Sequence, residues 1–337
     1  MDNPAYWLPL IWAAILGVAV TLYVILDGFD LGLGILFPFA PEEERRDVMM
    51  NTVAPFWDGN ETWLVLGGGG LFVAFPKAYG VIMSGLYLPI IVMLLALVFR
   101  GVAFEFRWVA KPKHQFWDLA FSWGSIIATF AQGVVLGGLL QGITVKDGHF
   151  AGGAIDWLTP FALFCGLALV AGYALLGATW LIFKTEGPLE IWAREKAKVA
   201  LITVLLATLV ISLWTPFSIP RIAERWFSWP NILALSPVPL LTAFAAWTCW
   251  RGLEQKKQLR PFVAAIALFL LGLAGLVISN VPYLVPASLT VWDAAAAPSS
   301  QMFMLVGTLL MLPVILGYTV FVYWTFRGKV RAGEGYH

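Results

Sequence analysis

Two carboxylic acids, Asp58 and Glu61, stand three residues apart at the start of a long apolar segment. The segment continues through residues 64–75 without a charged side chain, so the two acids lie where the chain enters a membrane. A charged acid at the centre of a bilayer costs about 2.5–3.5 kcal/mol on insertion scales, and less near the end of a span. Because intramembrane carboxyl groups usually serve proton relays, ion paths or structural pairing, we expect one of these roles for Asp58 and Glu61.

Three further acids, Asp27, Asp30 and Glu105, lie at the ends of other apolar segments. The spacing of Asp27 and Asp30 places both on one helix face. Together with the first pair, these acids favour a path for proton uptake from the cytoplasm. The alternative is that the acids sit at the membrane interface and pair with Arg100 and Arg107. For Asp30 and Glu105 the pairing interpretation is favoured slightly; for the first pair the functional one is favoured.

The composition defines the class of protein. Hydrophobic residues make up 60% of the 337 residues and charged residues 12%, whereas soluble domains carry about 25% charged residues. The chain is therefore an integral membrane protein, and the absence of a basic stripe argues against a nucleic-acid partner. Cys165 and Cys249 lie in apolar runs and are expected to be buried, without a zinc-binding spacing. The chain starts without a basic segment, so its first apolar run is expected to be a retained span.

The apolar segments predict an all-α fold with nine transmembrane helices in a single domain over residues 1–337. The second predicted span is the least regular because it carries both acids and the four consecutive glycines 67–70, which suit close helix packing. The nine spans are expected at roughly 7–27, 57–76, 78–100, 118–141, 157–183, 199–219, 231–250, 261–283 and 301–326.

The basic residues predict the orientation. If the N-terminus is periplasmic, only four of the 21 Lys and Arg residues fall in outer segments, namely Lys77, Lys146, Arg221 and Arg225. Cytoplasmic loops are enriched in Lys and Arg, so this bias predicts a periplasmic N-terminus and a cytoplasmic C-terminus. The acids discussed above then gather toward the cytoplasmic face.

Histidine is absent from every predicted span. The only three, His114, His149 and His337, fall in loops or in the tail. Since membrane haems usually need a His ligand, we expect this chain to bind no haem through His. A partial dinucleotide-binding pattern at Gly32 and Gly34 lacks its third glycine and is interpreted as a packing feature.

Five sequence blocks resemble subunit II of cytochrome bd-type quinol oxidases. The blocks read DGFDLG at 27–32, NTVAP at 51–55, WDGNETWL at 57–64, FRGVAFE at 99–105 and SLTVWDA at 288–294. The match extends over essentially the whole chain, and the blocks in the first hundred residues are the most specific.

The resemblance implies a fold of two four-helix bundles with a peripheral ninth helix, in the bacterial cytoplasmic membrane. It implies a subunit of a quinol:oxygen oxidoreductase that reduces oxygen to water in aerobic respiration. The partner would be subunit I, which carries haems b and d and the quinol site and forms a pseudo-symmetric heterodimer with subunit II. A small single-span third subunit and a structural quinone or lipid are further candidate partners. Ubiquinol and menaquinol both remain open as substrate.

The resemblance also assigns roles to residues. The acid that matches Asp58 lies on a proton path toward the haems of subunit I, and the acid that matches Asp27 lies near the proton entry. The tryptophan that matches Trp63 lies near a proposed oxygen route, and Trp57, Asn60 and Arg100 are expected on that route or against the partner. Phe56 stands where a histidine is common, and the outer connections are short. Both features suggest the shorter, cyanide-insensitive branch of the family.

Two other functions compete with this interpretation. A proton-coupled secondary transporter is compatible with the acids, but the odd number of spans and the lack of an internal repeat count against it. A purely structural assembly subunit, in which the acids only form ion pairs, cannot be separated from an oxidase subunit by sequence.

Overall fold

The computed structural model describes residues 3–40, 42–111, 113–331 and 333. These residues are almost entirely helical, with two short β-hairpins and one 3-10 turn at Phe37–Phe39. The helices are α1 (Pro4–Leu36), α2 (Glu43–Asn51), α3 (Trp57–Ala74), α4 (Pro76–Gly85), α5 (Tyr87–Val109), α6 (Gln115–Gln141), α7 (Pro160–Lys184), α8 (Gly187–Ser218), α9 (Pro220–Phe227), α10 (Asn231–Leu235), α11 (Pro237–Glu254), α12 (Leu259–Asn280) and α13 (Pro298–Thr325). The hairpins pair β1 (Val145–Lys146) with β2 (His149–Phe150) and β3 (Tyr283–Val285) with β4 (Leu289–Thr290).

Among the described residues, eight helices are long and apolar enough to cross a membrane, and α3 with α4 forms a ninth candidate that is bent by 120°. This agrees with the predicted all-α membrane fold. The bend lies at Phe75, whose backbone leaves the helical region at φ −136° and ψ 60°. The next residue is Pro76, and proline disfavours helical geometry in the residue before it. The segment predicted as the third span, 78–100, is therefore divided between α4 and α5, with the junction at Leu86.

Local sequence signals account for the starts of the long helices. The Asn3 side chain accepts a hydrogen bond from the Ala5 amide at 3.0 Å and caps α1. The Thr159 hydroxyl accepts one from the Ala162 amide at 3.1 Å and caps α7. Both helices have proline in the first turn, where its missing N–H leaves no bond unmade.

The helices that surround the acids are held together by very close backbone contacts. α1 packs against α3, α6 and α7. A methyl group added to Gly32 would lie 2.0 Å from the Tyr173 carbonyl oxygen and 2.8 Å from the Gly177 amide nitrogen. One added to Gly34 would lie 2.0 Å from the Ser125 hydroxyl oxygen. The paired glycines of α1 are thus a packing feature, as the sequence indicated.

The glycine run on α3 behaves differently from its expected role in close packing. Only Gly70 meets a tight neighbour, at 2.6 Å from a Leu16 methyl carbon, and Gly67 lies 3.8 Å from Val20. Gly68 and Gly69 have nothing within 4 Å in this chain. Half of the run therefore faces away from α1.

The far end of α3 is closed by α4 and the two hairpins. Phe75, Ala78 and Val81 form one buried cluster with Ile143 and Val285. Glu61 lies near the start of α3, whereas this buried cluster lies at the end of the helix. The acids and the hairpins therefore occupy opposite ends of α3.

Candidate functional site

The centre of the candidate site is the guanidinium group of Arg100. Arg100 lies on α5 and its side chain is fully buried. One nitrogen, Nη2, donates to Asp27 Oδ1 at 2.7 Å and to Glu61 Oε2 at 2.9 Å. Three helices, α1, α3 and α5, are therefore joined by one ionic contact inside the bundle.

Asp30 is joined to the site through the side-chain amide of Asn60. Asn60 Nδ2 donates to Asp30 Oδ2 at 2.8 Å, and the Tyr323 hydroxyl donates to Asn60 Oδ1 at 2.8 Å. Asn60 is buried and connects α1 to α13, which contributes Tyr323. Since an amide carries both donors and an acceptor, Asn60 can bridge a carboxylate and a phenol without a charge of its own.

A second polar chain leads away from Asp27 into the bundle. Tyr23 precedes Asp27 by one turn and accepts a hydrogen bond from Gln132 Nε2 at 2.7 Å. The Tyr173 hydroxyl donates to Gln132 Oε1 at 3.0 Å. This chain links α1, α6 and α7, and the sequence reasoning missed it. The available signals were the i, i+4, i+7 spacing of Tyr23, Asp27 and Asp30, and the single Gln in the middle of an apolar span.

Several polar atoms of the site have no partner in the described part of the chain. Asp27 Oδ2, Asp30 Oδ1, and Nε and Nη1 of Arg100 are buried without a hydrogen bond. Buried polar groups are normally satisfied, and ordered water commonly fills this role. The site therefore offers donors and acceptors for water between its acids.

The site is also short of positive charge. Two carboxyl groups, those of Asp27 and Glu61, bind the single guanidinium of Arg100, and a third, that of Asp30, is joined to them through Asn60. The excess of carboxyl groups over cations distinguishes this site from a balanced ion pair. We call the set Asp27, Asp30, Asn60, Glu61 and Arg100 the carboxyl cluster.

Two predicted members lie outside the carboxyl cluster. Asp58 is exposed on α3, and its side chain forms no hydrogen bond or ion pair with the described residues. Glu105 is exposed on α5 and is equally without a partner among them. Glu61 is intermediate between the exposed Asp58 and the buried Asp27, with 26% of its side chain exposed. The structure thus separates Asp58 from Glu61 although they are one turn apart.

Two tryptophans line the site. The ring of Trp57 stacks on Phe104 at 5.1 Å between centroids, and the Arg100 guanidinium lies 5.8 Å from the Trp57 ring. Trp63 is buried against Tyr23 and Ala19. These side chains shield the carboxyl cluster with apolar surface, which strengthens the electrostatic interactions inside it.

Arg107 belongs to a different ionic network. It was considered with Arg100 as a partner of the acids, but its Nε donates to Asp118 at 2.6 Å and its Nη1 to Asp47 at 2.5 Å. Lys111 also binds Asp47. This network ties α2 to α5 and α6 and does not include the carboxyl cluster.

Neither of the two described histidines lies in a helix. His114 lies before α6, where its Nε2 is 3.4 Å from Glu43 Oε1, and His149 lies in the β1–β2 hairpin. His337 falls outside the described residues. Within the described ranges, no group of three or more His, Cys, Asp and Glu side chains is placed to hold a metal ion.

Comparisons with known proteins agree with this architecture. The sequence profile of the family described as cytochrome bd terminal oxidase subunit II matches residues 8–326. The chain is 30% identical over 365 residues to cytochrome bd-I ubiquinol oxidase subunit 2 of Escherichia coli (strain K12), covering 95% of this chain and 94% of that protein. It is 29% identical over 336 residues to cytochrome bd ubiquinol oxidase subunit 2 of Bacillus subtilis (strain 168), covering 96% and 97%. A chain of the bd oxidase from Geobacillus thermodenitrificans has the same fold, with a TM-score of 0.80, 17% identity, and coverage of 95% and 98%.

Proposed function

The chain belongs to the cytochrome bd terminal oxidase subunit II family, and from this premise we propose that its carboxyl cluster carries protons from the cytoplasm toward the site of oxygen reduction. As a family member it is a multi-pass protein of the bacterial cytoplasmic membrane and a subunit of a quinol oxidase, in which it works with subunit I. Family membership favours this function over a secondary transporter.

One observation supports the proton role above all others. Asp27 and Glu61 bind a single buried cation, Asp30 is joined to them through Asn60, and polar atoms of that site have no partner among the described residues. A contact built only for stability is expected to be balanced in charge and fully hydrogen-bonded, because every unpaired buried group lowers stability. Excess carboxyl groups and unsatisfied atoms instead suit a site that takes up water and protons.

The gradient of exposure along the acids suggests a direction. Asp58 is exposed, Glu61 is partly exposed one turn later, and Asp27 is buried beside Arg100. We propose that protons enter at Asp58, pass to Glu61 and reach Asp27 and Asp30. The positive-inside bias of the loops supports the assignment of this end of the bundle to the cytoplasmic face. The participation of Glu105 stays a prediction that no contact supports.

We propose that haems b and d, and the quinol site with them, are held by subunit I. Haem supplies the electron transfer that reduces oxygen. The contribution that we propose for this chain is to hold and relay protons at Asp58, Glu61, Asp27 and Asp30. The predicted oxygen route past Trp57 and Trp63, a bound quinone and a small third subunit remain proposals.

The helix contacts support an arrangement of two four-helix bundles. α1, α3, α5 and α6 would form the first and α7, α8, α11 and α12 the second, joined where α1 and α6 meet α7. α13 is the peripheral helix, because only Gln301 and Leu305 of it are buried. The exposed face of α3 beyond Asp58, which carries Thr62, Val65 and Gly69, is available to subunit I.

The entry role of Asp58 is tested by Asp58→Asn in the intact complex. Asparagine keeps the size and hydrogen-bonding capacity of the side chain but does not titrate. Because Asp58 has no side-chain partner in the described chain, assembly and haem content should be unchanged, while quinol-driven oxygen consumption should fall several-fold. Asp58→Glu should retain part of the activity. Wild-type turnover in a fully haem-loaded Asp58→Asn complex would refute the entry role.

A further inference from the structure

A membrane-facing groove lies between α11 and α12. The residues that line it are far from the carboxyl cluster in sequence. Its volume is about 820 Å³. Its walls are almost wholly apolar along most of their length, and they include Leu241, Phe244, Val263, Ala267 and Leu270. A groove of this kind on a transmembrane surface suits a hydrocarbon chain.

One end of the groove is basic. Lys257 and Arg260 line it, and neither pairs with a carboxylate among the described residues. Of the acids on neighbouring helices, Glu254 pairs with Lys198 at 3.2 Å, and Glu190 pairs with Arg194 at 2.5 Å and accepts a hydrogen bond at 3.4 Å from Gln258, which also lines the groove. The first turn of α12 lies at the same end and has no side-chain cap, so its amides add partial positive charge. This end therefore suits an anion.

A buried hydroxyl lies between the basic end and the apolar walls. Thr248 lines the groove, and its Oγ1 is buried without a hydrogen-bond partner. Thr242, on the same helix, instead donates to the Val238 carbonyl at 2.8 Å, the usual arrangement for helical threonine. At 1.5 Å per residue, Thr248 stands about 9 Å from the end of α11. Thr248 therefore offers an unused hydroxyl at the depth where the ester region of a lipid would lie if its headgroup were at the helix end.

We propose that this groove is a binding site for one anionic glycerophospholipid. The phosphate contacts Lys257 and Arg260, an ester carbonyl accepts a hydrogen bond from Thr248, and one acyl chain lies between Leu241, Phe244 and Val263. The order of the three features, anion site, hydroxyl and apolar channel, matches the order of groups along such a lipid. A neutral isoprenoid quinone would leave the two cations unpaired, so the charge favours the phospholipid. The site is independent of the proposed proton path.

The site is tested by native mass spectrometry of the purified complex after delipidation and exposure to vesicles of phosphatidylglycerol or of phosphatidylcholine. The wild type should retain one phosphatidylglycerol that the double variant Lys257→Gln, Arg260→Gln retains at least tenfold less. Phosphatidylcholine should be retained weakly by both. The matched control, Arg251→Gln with Lys256→Gln, removes the same charge from the same loop region but not from the groove, and should behave as the wild type.

Other outcomes would overturn the proposal. Equal phosphatidylglycerol retention by the double variant and the wild type would show that the basic end binds no phosphate. Retention of an isoprenoid quinone that is insensitive to both substitutions would assign the groove to a neutral lipid. Haem content and subunit ratio are measured on the same samples to verify assembly. If the double variant does not assemble, the single variants Lys257→Gln and Arg260→Gln are compared in the same way. Thr248→Val should lower retention of phosphatidylglycerol without affecting assembly.

Discussion

At the scale of single residues, Arg100 decides how the site is built. One of its buried nitrogens, Nη2, binds Asp27 and Glu61, and the other two, Nε and Nη1, are buried without a partner in the described part of the chain. Burying an ion pair is nearly neutral in free energy, but removing one partner leaves a buried charge uncompensated. The carboxyl cluster therefore depends on Arg100 more than on any single acid.

Arg100→Gln should destabilise the protein strongly, because Asp27 stays buried without its cation. Breaking a buried pair in this way costs about 3–5 kcal/mol. Thermal unfolding of the complex should begin at a clearly lower temperature, with reduced yield. Arg100→Lys keeps the charge and should lose less. Arg251→Gln, which removes an exposed arginine, is the control and should unfold like the wild type. Identical unfolding of Arg100→Gln and the control would contradict the central position of Arg100.

Part of this site could be predicted from spacing. The separation of Asp27 and Asp30 was enough to place them on one face of α1, and both are buried. Spacing could not distinguish Asp58 from Glu61, because which one meets Arg100 depends on the rotation of α3 against α1. The contact of Tyr323 with Asn60 could not be predicted for a different reason. The two residues are 263 positions apart in sequence, and only the packing of α13 brings them together.

At the scale of elements, the apolar pattern predicts helices well and their interruptions poorly. The long helices lie close to the predicted spans because about 20 apolar residues are needed to cross a bilayer. A break between residues 76 and 78 was predicted, close to the turn at Phe75, but the separation of Pro76–Gly85 from the third span as a helix of its own was not. Apolarity continues through the turn, since α4 packs into a buried cluster at the end of the bundle instead of crossing the membrane alone. Hydropathy does not separate these two situations.

The crossing of α1 and α7 provides a test at this scale. Gly32→Ala should push the two helices apart, because the added methyl group would overlap the Tyr173 carbonyl. Overpacking of this kind costs typically about 1–3 kcal/mol. The unfolding temperature of the complex should fall accordingly. The control is Gly17→Ala on the same helix, where nothing lies within 4 Å, and it should be neutral or slightly stabilising because alanine favours helix. A Gly32→Ala protein as stable as Gly17→Ala would show that this crossing is loose.

At the scale of the whole molecule, two of the four basic residues predicted to be outside, Arg221 and Arg225, have a structural explanation. Arg221 Nη2 donates to the Leu140 carbonyl at 2.9 Å, and Arg225 Nη1 donates to the Ile278 carbonyl at 2.8 Å. Burial, together with the nearby Arg225, lowers the pKa of Arg221. Both arginines satisfy carbonyls at helix ends, which are left without partners inside the helix. They are therefore used for capping and do not weaken the charge bias that predicts the orientation.

The orientation itself is tested by reporters that are active on only one side of the membrane. A fusion after His337 should be active in the cytoplasm, and one in the β1–β2 hairpin near His149 should be active in the periplasm. The reason is the concentration of Lys and Arg in the segments predicted to be inside. A periplasmic C-terminus would place the acids of the proposed proton path toward the periplasmic face of the membrane. It would refute the proposal of proton uptake from the cytoplasm.

The central claim, that the carboxyl cluster passes protons, is tested most directly by oxygen consumption of the Glu61→Gln complex at measured haem content. Glutamine can still accept a hydrogen bond from Arg100 but cannot carry a proton between water and Asp27. Turnover should fall by on the order of tenfold or more, as for the loss of an acid–base group, with haem content unchanged. Glu195→Gln, which removes an exposed acid on α8 outside the cluster and the proposed path, should keep near-wild-type turnover. Near-wild-type turnover of a fully haem-loaded Glu61→Gln complex would contradict the proton role and leave the cluster as a structural ion pair.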